Sequence, residues 1–128
     1  MADTNFLNFS WWQTATVEDV KSEIAKGANV NAKDDKGRTP LMFVVMFYDK
    51  LELISALVDS GANVNEKDNS GKTPLMYAAE YNEDTYVTGA LLDFGSDIKA
   101  EDNEGKKALD YAQKGNNTQV VCLLNVMK

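Results

Sequence analysis

Gly61-Ala-Asn-Val-Asn-Glu-Lys-Asp-Asn-Ser-Gly71-Lys-Thr-Pro-Leu-Met76 decides the fold, because the chain says it more than once. Thirty-four residues earlier stands Gly27-Ala-Asn-Val-Asn-Ala-Lys-Asp-Asp-Lys-Gly37-Arg-Thr-Pro-Leu-Met42. Thirty-four residues later stands a weaker copy, Gly95-Ser-Asp-Ile-Lys-Ala-Glu-Asp-Asn-Glu-Gly105-Lys-Lys-Ala-Leu-Asp110. Leu41, Leu75 and Leu109 keep one register, and Leu7 precedes Leu41 by the same 34 residues. A fixed period of this size marks a repeat array. The 128 residues divide into units of about 1–32, 33–66, 67–100 and 101–128, expected to form a single domain.

Every unit reads alike. Asp-x-x-Gly at Asp34–Gly37, Asp68–Gly71 and Asp102–Gly105 predicts a hairpin-like loop: Asp accepts backbone hydrogen bonds and Gly supplies positive φ. Thr39-Pro40 and Thr73-Pro74 then give an N-cap and a first helical residue. Short apolar helices follow at Leu41–Phe47 and Leu75–Tyr81, then polar breaks, then second helices at Leu51–Asp59 and Thr85–Asp93. Gly61 and Gly95 are expected to end the second helices in the left-handed conformation. In the first unit Thr16 and Asp19 have capping-box spacing, with Gly27 as the stop. Helices of about nine residues are not stable alone. Stacking supplies the missing apolar surface, which makes the array a solenoid. Small residues in register (Ser10, Val44, Ala78, Ala112; Ser22, Ala56, Ala90) let neighbouring helices approach closely.

Composition narrows the function. The net charge of −7 opposes a nucleic acid or an anionic membrane as partner. Zero His removes the commonest general base and metal ligand. Apolar runs are far shorter than the roughly 20 residues of a membrane helix, and the first residues lack the order of a secretory signal. The lone Cys122 gives no internal disulfide, and a cytoplasmic setting is expected; in the last helix it reads as a small half-buried residue. No phosphate loop, dinucleotide fingerprint, His-based triad or Cys cluster is present, so neither an enzyme nor a cofactor is expected. The Asp-rich loops do not suit calcium: Lys36 and Ser70 stand immediately before the Gly, and Phe43 and Tyr77 stand six residues after it, where a Glu belongs.

Gly71-Lys-Thr-Pro-Leu-Met-Tyr-Ala-Ala79, with Gly61-Ala-Asn-Val-Asn65, resembles the ankyrin repeat, and the likeness runs over essentially the whole chain. It implies an all-α solenoid of helix-turn-helix units with short β-hairpin loops. A tetratricopeptide array shares the 34-residue period, but its tight turns do not fit the 14 residues of Gly27–Pro40. The sequence departs from the family in three places. The period is one residue longer, with the extra residue expected near Tyr48 and Asn82; Met42 and Met76 replace the usual His; and Lys107-Ala108 replaces Thr-Pro.

The resemblance further implies a protein partner bound on a concave face of loop tips and first helices. Carried onto this sequence, that face comprises Trp12, Lys36, Arg38, Met46, Phe47, Tyr48, Ser70, Lys72, Glu80, Tyr81, Asn82 and Glu104. Large aromatic and Met side chains suit an interface because they bury much area with few rotors. Trp11 and Phe9 are expected in the core or cap instead. The expected product is a monomeric, non-enzymatic interaction module. The alternative is an inhibitor or regulator that caps an enzyme or toxin, using the stretch Glu80–Glu104 with its eight acids and one Lys. Polar residues at the ends, Glu23, Gln113 and Asn125, suit capping units with a wet outer side.

Overall fold

The computed structural model describes residues 5–47 and 50–127, the Phe47 side chain excepted. Among them are eight α-helices and no strand. In chain order they are α1 (Phe9–Thr14), α2 (Val17–Ala25), α3 (Pro40–Phe47), α4 (Leu51–Asp59), α5 (Pro74–Tyr81), α6 (Thr85–Asp93), α7 (Ala108–Lys114) and α8 (Thr118–Met127). The odd-numbered helices pack on one another in one layer, with α5 between α3 and α7, and the even-numbered helices form a second layer.

The layers differ in sequence because they differ in surroundings. An inner helix such as α5 meets a neighbour on each side and its own second helix behind. Pro74, Leu75, Met76, Tyr77, Ala78 and Ala79 are accordingly all buried, and α3 is apolar around its whole circumference. The outer helices bury one stripe, Leu53, Ile54 and Leu57 on α4 and Val87, Thr88 and Leu91 on α6. Each fully buried Leu or Ile contributes about 1.5–3 kcal/mol over an exposed one.

The helix ends follow the local chemistry. Thr16 accepts from the Asp19 N–H at 3.1 Å, and Asp19 accepts from the Thr16 N–H at 3.0 Å, completing the capping box. The Thr73 hydroxyl accepts from the Met76 N–H at 3.3 Å, with Pro74 opening the helix. Where His is replaced, the Met42 sulfur accepts from the Thr39 N–H at 3.4 Å. Lys107 brings no hydroxyl to α7, and Asp110 instead accepts the Lys107 N–H at 2.9 Å.

The expected β-hairpins are loops without strands. Each closes on itself through a bond from the Asp N–H to the carbonyl four residues on: Asp34 to Arg38, Asp68 to Lys72 and Asp102 to Lys106. The remaining pairing runs between loops. The Asn69 N–H donates to the Lys36 carbonyl, and the Asn103 N–H to the Ser70 carbonyl, both at 2.9 Å. With one backbone bond per step, joined by one from the Asn69 or Asn103 side-chain amide, the loops stack without a strand ladder. Gly37 and Gly71 permit the close approach: a Cβ on either would lie 2.6 Å from the Asn69 or Asn103 side-chain oxygen, and both residues have positive φ, 79° and 82°.

The helix breaks are also joined. Lys50 Nζ donates to the Trp12 and Gln13 carbonyls at 3.1 and 2.7 Å, Asn82 Nδ2 to the Val45 carbonyl at 3.0 Å, and Asn117 Nδ2 to the Asn82 carbonyl at 2.8 Å. Each reaches the carbonyl end of the preceding inner helix, whose last acceptors have no partner inside the helix.

Two expectations about the ends change. Glu23 is buried, 9% exposed, and Asn5 Nδ2, from the stretch just before α1, donates to its carboxylate at 3.0 Å. Cys122 is exposed rather than half-buried, since the apolar stripe of α8 runs through Val120 and Leu124 instead.

Candidate functional site

The inner helices and the loop tips form a groove. One hollow of about 330 Å³ is lined by Lys36, Arg38, Met46, Asp68, Tyr77 and Tyr81, among others. A second, of about 430 Å³, is lined by Glu80, Asp102, Glu104, Tyr111 and Lys114, among others. The two share Asn69, Ser70, Lys72 and Tyr81 and lie side by side along the stack.

Lys72 is the hub. Its Nζ donates to the Glu80 carboxylate at 2.7 Å and lies 4.2, 4.5 and 5.4 Å from the ring centroids of Tyr77, Tyr111 and Tyr81. Ring faces attract a cation, more strongly when it is desolvated, and this side chain is 13% exposed. Lys114 reaches the other Glu80 oxygen at 3.3 Å. Burial opposes ionisation of Glu80, but the two ammonium groups outweigh it and hold its pKa below the usual value.

The loop carboxylates fix the floor. Asp68 Oδ1 accepts the Ser70 and Lys72 N–H groups at 2.8 and 2.9 Å, and its Oδ2 accepts the Tyr77 hydroxyl. Asp102 repeats this with Glu104, Lys106 and Tyr111. Burial and the carboxylate beside it push the pKa of each tyrosine well up. Burial also disfavours the Asp102 carboxylate, yet the Tyr111 hydroxyl and the two backbone N–H groups hold its pKa low. At Asp34 the helix residue is Phe43, which has no hydroxyl. There Arg38 Nε donates to Oδ2 at 2.8 Å, and its guanidinium lies 5.3 Å from the Phe43 centroid. The Arg38 and Lys36 N–H groups and that guanidinium outweigh burial, so Asp34 too titrates below its usual value.

The residues expected on this face fall into three groups. Lys36, Ser70, Tyr81 and Glu104 are exposed along it, Tyr81 at 45%. Arg38, Lys72 and Glu80 are half-buried in ion pairs, and Met46, 5% exposed, lies at the base of the first hollow. Trp12 and Asn82 are not on the face. Trp12 is wholly buried: its indole N–H donates to the Phe6 carbonyl at 2.9 Å and its ring stacks on Phe6. Asn82 is buried because its amide joins two inner helices. Tyr48 and the Phe47 side chain lie outside the described residues. Tyr77, Tyr111 and Lys114 escaped the sequence reading. The available signals were the nine-residue spacing from Asp68 to Tyr77 and from Asp102 to Tyr111, and the 34 residues between Glu80 and Lys114.

The displaced groups are pushed away from neutrality, carboxylates downward and tyrosines upward. At neutral pH they present fixed charges and fixed donors, which suits recognition rather than proton transfer. Among the described residues no group of three or more His, Cys, Asp or Glu is placed to hold a metal ion. Likewise none of their helices is long and apolar enough to cross a membrane.

No curated protein matches the chain in sequence. A family model of ankyrin repeats, in three copies, matches residues 13–100. Ankyrin repeats generally mediate protein–protein interactions. The match spans more than half of the chain and contains α2 to α6, and the chain belongs to the ankyrin repeat family.

Proposed function

We propose that this protein is a non-enzymatic binding module, one domain of four units over residues 1–128, which acts as a monomer and seats a partner protein in the loop-and-inner-helix groove. The observation that carries the reading is the meeting of two hollows at Tyr81 and Lys72. A half-exposed tyrosine beside a desolvated, ion-paired lysine is an anchor of the kind that dominates binding energy. Lys36, Arg38, Met46, Ser70, Glu80 and Glu104 line the two hollows with it. A cytoplasmic setting fits the single free thiol.

The test compares proteins captured by the immobilised chain and by its Tyr81→Ala variant, identified by mass spectrometry and then titrated calorimetrically. Loss of about 2 kcal/mol or more is expected for a partner anchored there. A folded variant that captures the same proteins with unchanged affinity removes the groove as the binding face.

The regulatory alternative draws on the acids of Glu80–Glu104, of which Glu83, Glu101 and Glu104 are exposed while Glu80 is committed to two lysines. A steeply salt-dependent on-rate toward a basic enzyme favours it over a passive adaptor.

A further inference from the structure

The outer layer carries a second feature, remote from the groove. Helices α4, α6 and α8 together contain no Lys or Arg, although the chain has 13. They carry Glu52, Asp59 and Asp93, all exposed. A hollow of about 420 Å³ spans the three helices, lined by Leu51, Tyr86, Gly89, Ala90, Asp93 and Leu123 among others. Tyr86 is 75% exposed and Leu51 37%.

Gly89 is the independent clue. It stands in the interior of α6, where glycine is worse than alanine, and a Cβ there would meet nothing within 4 Å. Neither packing nor backbone geometry within the chain requires it. What the missing side chain provides is open access to the helix at the base of the hollow.

Charge selects the occupant. A second copy of this face would bring Asp93 and Glu52 against their own kind, and an anionic lipid surface is repelled in the same way. An apolar hollow whose charged lining residue is Asp93, on helices that carry acids and no base, fits an apolar ridge flanked by bases. We infer that the outer face of α4, α6 and α8 is a second docking surface, which takes an amphipathic helix with Lys or Arg beside its apolar stripe from a partner protein. It goes beyond the groove reading and shares no residue with it, so either can fail alone.

The experiment titrates the full-length, 15N-labelled chain with two synthetic 18-residue amphipathic helices, one Leu/Lys and one Leu/Glu, with the same apolar pattern. The Leu/Lys peptide is expected to shift the amides of Leu51, Tyr86, Gly89, Ala90, Asp93 and Leu123. The Leu/Glu peptide, and the Asp93→Lys variant with the Leu/Lys peptide, should each bind about tenfold more weakly or worse. Gly89→Leu should fill the hollow and abolish binding, and Tyr86→Ala, at an exposed position that spares the fold, should weaken it. Equal binding of both peptides, shifts confined to the loop groove, no shifts at all, or unchanged binding by folded Gly89→Leu and Tyr86→Ala variants would each overturn the inference. So would concentration-dependent dimerisation through this face in sedimentation.

Discussion

The turn at Asp34 and the turn at Asp68 share a backbone and solve one problem differently. In both, Oδ1 takes two backbone N–H groups. The second oxygen is satisfied by Arg38 from within the loop at Asp34, and by Tyr77 from the inner helix at Asp68. The exchange is correlated: where the helix offers Phe43, the loop supplies a guanidinium, and where it offers Tyr77, the loop base becomes Lys72 and is released to reach Glu80. A hydroxyl on the helix thus frees a cation for the groove. The lesson is that a repeat preserves the satisfaction of a buried group rather than the residue that satisfies it.

The largest expected difference between the turns follows from removing the carboxylate. Asp68→Ala leaves the half-buried Tyr77 hydroxyl and Lys72 N–H unpaired and should cost roughly 3 kcal/mol in urea denaturation. Asp34→Ala releases a guanidinium that is 27% exposed and can hydrate, so a loss of about 1.5 kcal/mol is expected. Equal losses would break the comparison.

Tyr77→Phe comes next, at about 1 kcal/mol, and pH separates it from the Arg38 turn. Asp34, Glu80 and Asp102 have folded pKa values below their unfolded ones. Their stabilisation is full above the ordinary carboxylate range near pH 4 and is lost as pH falls through the depressed values. Tyr77 and Tyr111 are displaced the other way. Their contribution is full below about pH 10 and is lost as pH rises through the raised values. The Asp102–Tyr111 turn therefore weakens at both extremes, the Tyr77 hydroxyl contribution is lost at the alkaline end, and the Asp34 turn weakens at the acid end. A Tyr77→Phe, Tyr111→Phe double variant should flatten the alkaline limb of a stability–pH curve. It should also reduce the acid limb by the share that the Tyr111 hydroxyl gives Asp102, leaving the Asp34 and Glu80 share. The smallest effect is Phe43→Tyr, within about 0.5 kcal/mol, because Arg38 already holds the oxygen that a new hydroxyl would seek. A clear gain would show that the two arrangements can coexist.

Much of this architecture is legible in the chain. Repeat register, caps and breaks place α4 and α6 at Leu51–Asp59 and Thr85–Asp93, the bounds observed, because propensity, capping and burial all agree there. The groove is less legible. Trp12 has the register of a surface position, yet Phe6 folds back over it, a local contact of the divergent first unit that no period encodes. Asn82 reads as a polar break and is buried because an amide there can reach the Val45 carbonyl. The Lys72 site draws on three loop or helix segments, and only the shared spacing of Asp68, Tyr77, Asp102 and Tyr111 hints at it.

The inter-unit hydrogen bonds given by backbone N–H groups also have a direction, with consequences for a chain made from its N-terminus onward. The backbone N–H groups of Asn63, Asn69, Asp97 and Asn103 each donate to an acceptor in the preceding unit. For these bonds a partly synthesised stack waits with backbone and Asn side-chain oxygens at its growing edge. Donors that wait there, such as Asn31 Nδ2, Asn65 Nδ2 and Lys67 Nζ, belong to side chains that water can serve. Carbonyls carry two lone pairs and tolerate incomplete partnering better than an N–H does. Among backbone groups, the order of translation therefore leaves the less demanding half of each junction exposed while its other half is still being made.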